Sequence, residues 1–144
     1  MKKASAIATH AAQHALAANP LIGIRRKEVA LTAATLASHL ARQPQIVGKE
    51  WAKLARDLMH IARGDATIAP AAGDRRFADA AWTSNAGYRR LMQAYLALGA
   101  AVDRSVGDTR MSARDTERAK FVATLMIDAL APTNSLAGNP AALR

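Results

Sequence analysis

The sequence predicts an all-α protein, a small bundle of four to five helices. Alanine, the residue with the highest helix propensity, accounts for 36 of the 144 residues. Apolar residues recur at spacings of three and four in several segments, as on one face of a helix, and no segment alternates like a half-buried strand. The length allows one domain, and aromatic residues make up only 4%, so the predicted core is thin.

Composition excludes several classes of site. The chain has no cysteine, which rules out disulfides, thiolate metal sites and a cysteine nucleophile in it. A net charge of +9 favours a polyanionic partner such as nucleic acid, anionic lipid or an acidic protein surface. The sequence has no run of about 18 strongly apolar residues, so no transmembrane segment is predicted.

The first 24 residues predict a weak or frayed helix followed by a linker. Ser5 to Ala18 combine good helix propensity with a weak apolar face, and Asn19-Pro20 ends the segment. Polar residues interrupt its alanine run, so it is not interpreted as a cleaved secretory signal. The helical domain proper is expected over residues 25–131.

Two helices are predicted next, each from a stripe of apolar residues. The first stripe ends before Pro44 and consists of Val29, Ala33, Leu36 and Leu40. The second ends at Gly64 and consists of Val47, Trp51, Leu54, Leu58 and Ile61. Lys49, Lys53 and Arg56 lie off this stripe and predict a basic outer face.

A long connection over about residues 64–85 separates these helices from two more, because periodicity is lost there. The next apolar stripe contains Tyr88, Met92, Tyr95, Gly99, Val102 and Val106. Ser112 is expected to cap the last helix. The apolar face of that helix consists of Phe121, Val122, Leu125, Met126, Ala129 and Leu130. An irregular tail is expected over residues 132–144.

The sequence contains few residue patterns that are typical of catalytic or metal sites. His10 and His14 would share a helical face, but no third ligand has matching spacing, so a solvated face is the preferred interpretation over a metal site. No nucleophile elbow, phosphate-binding loop or dinucleotide motif is present, and no cofactor is predicted. Nucleic-acid binding stays open as an alternative function, although the basic groups are dispersed and no base-reading motif accompanies them.

The second half carries several short motifs in order. They are Arg76-Phe77-Ala78-Asp79-Ala80-Ala81-Trp82, then Tyr88-Arg89-Arg90-Leu91-Met92-Gln93-Ala94-Tyr95-Leu96, then Glu117-Arg118-Ala119-Lys120-Phe121, then Asp128-Ala129-Leu130-Ala131-Pro132-Thr133-Asn134 and Asn139-Pro140. Over about residues 74–144 this set resembles the N-terminal domain of polyhydroxyalkanoate synthases. Three positions depart from the family pattern. Ala80 and Ala86 replace prolines, and Ser135 replaces an aromatic residue.

The resemblance implies a domain without catalytic residues of its own. Synthases of this family polymerise (R)-3-hydroxyacyl-CoA with a cysteine, an aspartate and a histidine in a following α/β-hydrolase domain, whereas this chain ends at Arg144 without a cysteine. We therefore expect the chain to be an isolated domain, a truncated piece of a longer protein or a short stand-alone member of the family. The implied roles are granule attachment, dimer stabilisation and contacts with granule-associated proteins or the synthase catalytic domain. The implied location is cytoplasmic, at the polymer granule surface.

Candidate interaction residues follow from the motifs and from the tendency of aromatic and arginine side chains to dominate interfaces. They are Arg75, Arg76, Phe77, Trp82, Tyr88, Arg89 and Arg90. An equally weighted alternative is that Phe77 and Trp82 fold the connection back onto the helices of this domain, because large aromatic residues most often bury in their own core.

Overall fold

The computed structural model describes residues 26–135 and 138–143, so the predictions for residues 1–24, including His10 and His14, lie outside the described part. Within that part the fold is all-α, as the sequence predicts, with five helices and three 3₁₀ turns. The helices are α1 (Arg26–Ala41), α2 (Pro44–Arg63), α3 (Ala81–Ser84), α4 (Ala86–Asp108) and α5 (Ala113–Ala129). The turns span Arg75–Phe77, Pro132–Asn134 and Pro140–Leu143.

Helix α4 is the centre of the bundle, because it packs against α2, α3 and α5. The buried residues form three clusters along it. The cluster near its start consists of Phe77, Trp82, Met92, Tyr95 and Ala131. The middle cluster consists of Leu54, Ile61, Ala97 and Ala101, and the last of Val106, Ala119 and Ala123. Many of the buried side chains are alanines, as the composition predicts.

Helix α1 is only loosely packed. The predicted stripe of Val29, Ala33, Leu36 and Leu40 faces inward, but each of these side chains is half-buried. None of the side chains that the structure describes on α1 is fully buried. One side of this helix therefore lacks a packing partner within the described residues.

Helix α2 begins with Pro44 and ends at Gly64 as predicted. Proline suits the first position of a helix because it has no N–H, and an N–H at that position would have no partner within the helix. Gly64 adopts φ 87°, a left-handed conformation that favours glycine, and its N–H donates to the carbonyls of His60 and Ile61. The predicted packing stripe is correct for Leu54 and Ile61, which are buried.

The same stripe is wrong for Trp51 and Leu58, which are 55% and 41% exposed. The buried face of α2 runs through Glu50, Leu54 and Ile61, where α4 covers it, and no described element covers the neighbouring face. The broad face predicted on α5 is also only partly buried. Val122 is buried, whereas Phe121, Met126 and Leu130 remain exposed.

The connection contains more local structure than predicted. Asp74 accepts a hydrogen bond from the Arg76 N–H and so caps the first 3₁₀ turn, and the Asp79 side chain accepts from the Ala81 N–H at the start of α3. Gln93 on α4 donates to the carbonyls of Ala66 and Ile68. These bonds fix the connection against the bundle.

Side-chain caps define the starts of the last two helices. Asn85 accepts hydrogen bonds from the N–H groups of Gly87 and Tyr88 at the start of α4. Ser112 accepts from the Asp115 N–H at the start of α5, as predicted. Gly99 of α4 faces Ile127, where an added Cβ would lie 3.4 Å from the Ile127 side chain. Gly99 therefore lies against a side chain of α5.

The tail is not simply irregular, because side-chain hydrogen bonds hold it against α5. Asn134 Nδ2 donates to the Asp128 carbonyl, and Asn139 Nδ2 donates to the Thr133 carbonyl. Gly138 is buried, and a Cβ there would lie 2.5 Å from the Pro132 carbonyl oxygen. Asn134 thus caps the end of α5, and Asn139 joins the later part of the tail to the turn that follows this helix.

Candidate functional site

The two aromatic residues predicted as contact residues lie in the interior. Phe77 is 6% exposed and Trp82 is 0% exposed, and their rings meet edge to face with centroids 5.0 Å apart. Tyr88 also packs edge to face against Trp82, with ring centroids 5.4 Å apart. The placement of Phe77 and Trp82 follows the alternative in which the connection folds back onto its own domain, so neither ring offers a surface to a partner here.

Arg76 is engaged within the chain rather than free for a partner. Its guanidinium pairs with Asp74, and its Nη1 donates to Asp128 Oδ1 at 2.9 Å and to the Tyr95 hydroxyl at 3.1 Å. The guanidinium also lies 5.8 Å from the centroids of the Phe77 and Tyr95 rings. Arg76 therefore joins the connection to both α4 and α5.

The electrostatics of this cluster follow from the same contacts. The hydrogen bond from Arg76 holds the pKa of the Asp74 carboxyl below its usual value, and the same bond raises the pKa of Arg76. Burial raises the pKa of the Tyr95 hydroxyl. All three groups keep their ordinary charge at neutral pH, so the cluster is a structural ion-pair network.

The remaining predicted arginines lie at the surface or near it. Arg75 and Arg90 are exposed, and Arg90 Nη2 would lie 3.6 Å from a Cβ built on Gly64. Arg89 is half-buried and donates to the Thr83 carbonyl at 3.3 Å. A contact role for these three arginines stays a prediction.

An apolar surface of the described chain lies on α2. Trp51, Leu58 and Met59 are 55%, 41% and 51% exposed. Ala55 and Ala62 are also exposed and lie between or beside them at helical spacing. We call these five residues the α2 apolar face. A contiguous apolar face of this kind marks an interaction surface more often than isolated exposed residues do.

A row of basic residues runs along α2 beside this face. Lys49, Lys53, Arg56, His60 and Arg63 recur at spacings of four, three, four and three, and all are exposed. We call them the α2 basic row. Lys49 lies 3.8 Å from Asp108, and His60 pairs with Asp65 at 3.0 Å. Among the described residues, no carboxylate pairs with the other three members.

A buried ion pair fixes the position of α2. Glu50 is 2% exposed, and its Oε2 accepts a hydrogen bond from Arg104 Nε on α4. The bond from Arg104 and the neighbouring positive charges hold the pKa of Glu50 below its usual value. The carboxylate is therefore ionised at neutral pH, and the outer face of α2 is held in one orientation relative to α4.

An apolar groove of about 630 Å³ opens between α1, α2 and α4, with Trp51 on its edge. The larger side chains in its walls include Leu36, Leu40, Leu98 and Val102. Within the described part of the chain, no charged side chain lines it. The groove and the α2 apolar face thus share Trp51.

Sequence reasoning identified Lys49, Lys53 and Arg56 as an outer face but placed Trp51 and Leu58 in the core. The sequence feature that could have indicated this exposed surface is the number of apolar positions on α2. Met59 and the alanines extend the apolar surface beyond one stripe, so that a single neighbouring helix covers only part of it.

Among the described residues, no helix is both long and apolar enough to cross a membrane, and no cluster of three metal-ligating side chains occurs. The arrangement offers surface for binding. It contains an exposed apolar face, a row of basic residues and an apolar groove.

Comparison with known proteins gives consistent matches. Residues 73–144 match the family described as "Poly-beta-hydroxybutyrate polymerase (PhaC) N-terminus". The chain is 40% identical over 134 residues to Poly(3-hydroxyalkanoate) polymerase 1 of Ectopseudomonas oleovorans, covering 93% of this chain and 24% of that protein. It is 32% identical over 126 residues to polymerase 2 of the same organism, covering 88% and 22%.

A further relative is the Poly(3-hydroxyalkanoate) polymerase subunit PhaC of Cupriavidus necator, with 34% identity over 84 residues, 58% of this chain and 14% of that protein. The chain spans about a quarter of the length of the first two relatives. No solved structure matches. The family match covers half of the sequence. The chain belongs to the poly-beta-hydroxybutyrate polymerase (PhaC) N-terminus family.

Proposed function

We propose that this chain is a non-catalytic N-terminal domain that acts in polyhydroxyalkanoate biosynthesis by attaching to the polymer granule. The observation that carries the proposal is the α2 apolar face beside the α2 basic row. The relatives are polymerases by name, and the chain covers only about a quarter of each of the first two. The lack of cysteine supports a role other than acyl transfer on that nucleophile.

The α2 apolar face suits a polyester surface. A polyester presents methylene and methyl groups, so contact with it would remove the apolar area of Trp51, Leu58 and Met59 from water. Burial of apolar area contributes a favourable free energy of about 25 cal/mol per Å². The α2 basic row would lie at the edge of the contact, where Lys53, Arg56 and Arg63 can meet carboxylate chain ends or an acidic protein coat.

Retention of the purified chain on polyhydroxybutyrate particles tests the proposal. The test variant carries Trp51→Gln, Leu58→Gln and Met59→Gln. The control carries Met126→Gln and Leu130→Gln, which change apolar residues at the end of α5 that are 60% and 67% exposed. We expect the α2 variant to lose at least about tenfold in affinity, and the α5 variant to bind like the parent chain. Equal retention of both variants would contradict the proposal.

The α2 basic row also supports a second candidate function, nucleic-acid binding. Salt dependence separates the two. If Lys53, Arg56 and Arg63 each neutralised a phosphate, affinity for duplex DNA would fall about 40-fold between 50 and 200 mM salt. Affinity that comes from apolar contacts changes little over this range.

Dimer stabilisation is also implied for the family. In that case the molecular mass in solution would rise with protein concentration, and the α2 variant would have a lower mass than the parent chain.

A further inference from the structure

The first half of helix α2 borders an apolar groove, and its second half carries most of the α2 apolar face. The groove between α1, α2 and α4 measures about 630 Å³, and no charged side chain of the described residues lines it. A space of this size is typical of sites that hold small, largely apolar groups. Because protein interiors are close-packed, an unfilled apolar space at the surface suits a group from outside the chain.

The groove and the α2 apolar face lie on the same side of α2. A single row of exposed residues at spacings of four and three joins them, consisting of Pro44, Gly48, Trp51, Ala55, Leu58 and Ala62. The first three line the groove, and the last four belong to the α2 apolar face, so Trp51 belongs to both. A surface that contacts the α2 apolar face therefore also meets the opening of the groove.

The walls of the groove suit alkyl groups better than ester groups. Apart from Trp51 at the edge, Ser105 is the only described residue of the walls with a polar side chain, and its hydroxyl already donates to the Ala101 carbonyl at 2.8 Å. An ester oxygen inside the groove would lose its hydrogen bonds to water without gaining a side-chain donor there. An alkyl group enters without this cost.

We propose that the groove takes the pendant alkyl groups of the polyester, so that the chain prefers polymers with longer side groups. This inference rests on the proposed attachment of the α2 apolar face to the granule. In a polyhydroxyalkanoate the pendant group branches from the carbon that carries the ester oxygen, so it can enter the groove while the ester groups stay outside. A methyl group fills little of the groove, whereas a pentyl group can bury several further methylene groups against its walls.

Retention on two kinds of polymer particle tests this preference in the full chain. Polyhydroxybutyrate carries methyl groups and polyhydroxyoctanoate carries pentyl groups on the same ester backbone. Burial of one methylene group strengthens binding by about fourfold, so burial of two or more gives at least about tenfold. We expect the parent chain to bind polyhydroxyoctanoate particles at least about tenfold more tightly than polyhydroxybutyrate particles.

A glycine in the groove wall allows the groove to be filled without disturbing the fold. A Cβ built on Gly48 meets no atom from another part of the chain within 4 Å, and the same is true of Gly107, an exposed residue of α4 outside the groove. Phenylalanine has a higher helix propensity than glycine, so neither substitution weakens its helix. We expect Gly48→Phe to reduce the preference for polyhydroxyoctanoate to about twofold or less, and Gly107→Phe to keep the preference of the parent chain.

The outcomes distinguish this inference from the proposed function. Equal binding of the parent chain to both polymers, or an unchanged preference in Gly48→Phe, would overturn the role of the groove and leave granule attachment intact. If the parent chain binds neither polymer, both proposals are wrong. If Gly48→Phe keeps the preference but lowers the molecular mass of the chain in solution, the groove is instead an interface with a second copy of the chain.

Discussion

Arg104 of α4 donates a hydrogen bond from Nε to Oε2 of Glu50 on α2, across the main helix pair of the bundle. The carboxylate has almost no contact with solvent, and Arg104 Nη2 is buried without a hydrogen-bond partner among the described residues. Breaking such a pair leaves one charge buried and uncompensated, which costs more stability than the intact pair supplies. The pair therefore fixes the orientation of α2.

The first prediction concerns stability in acid. The folded-state pKa of Glu50 lies below its ordinary value of about 4.5, so the stabilisation from this group is complete above that value. It is lost as the pH falls through the lower folded-state pKa, because the unfolded chain then binds more protons. Asp74, whose pKa is also lowered, adds a contribution of the same sign.

Glu50→Gln should lower the melting temperature at pH 7. Between about pH 5 and pH 3, the melting temperature of this variant should fall less than that of the parent chain. Thermal melts followed by circular dichroism at a series of pH values measure both effects. Glu117→Gln is the matched control, because Glu117 is exposed and forms no ion pair within 4.0 Å in the described chain. An unchanged melting temperature at pH 7 for Glu50→Gln would contradict this role.

The second prediction compares how much two adjacent arginines contribute to stability. Arg76 bonds to Asp74, Tyr95 and Asp128, whereas the neighbouring Arg75 is exposed. Arg76→Met should lower the free energy of unfolding by about 1–2 kcal/mol, since the cluster is partly solvated. Arg75→Met should change it by less than about 0.5 kcal/mol. Urea unfolding of both variants measures the difference, and similar losses would show that the network does not stabilise the fold.

The third prediction concerns Ala86, where the family pattern has proline. Ala86 is the first residue of α4, and the preceding Asn85 has φ −97° and ψ 121°, which suits the residue before a proline. Ala86→Pro should therefore stabilise the chain by about 0.4–1 kcal/mol. Ala100→Pro, in the middle of the same helix, should destabilise it by about 3 kcal/mol or more. Destabilisation by both prolines would show that α4 begins earlier than Ala86.

The sequence predicted features that depend on local rules. Gly64 ends α2 and Ser112 caps α5, because each acts on backbone groups within four residues of itself. The sequence did not predict the burial of Glu50. That burial depends on Arg104, which lies 54 positions away and carries no local signal.

The candidate surface was harder to predict. Spacing shows which residues share a face of a helix, but it does not show how many neighbouring helices cover that face. Trp51 and Leu58 therefore looked like core residues. Phe77 and Trp82 lie in a connection without periodicity, so their burial depended on the tertiary contacts of α4 and could not be decided from pattern alone.

The central claim is that the α2 apolar face contacts the granule, and a single-site probe tests it most directly. Because the chain has no cysteine, Ala55→Cys and Thr124→Cys each provide one labelling site, on the α2 apolar face and on the exposed side of α5. Each variant is labelled with a polarity-sensitive dye and added to polyhydroxybutyrate particles. We predict that dye emission shifts to the blue at position 55 and stays unchanged at position 124. A shift at position 124 alone, or retention without a shift at position 55, would contradict the claim.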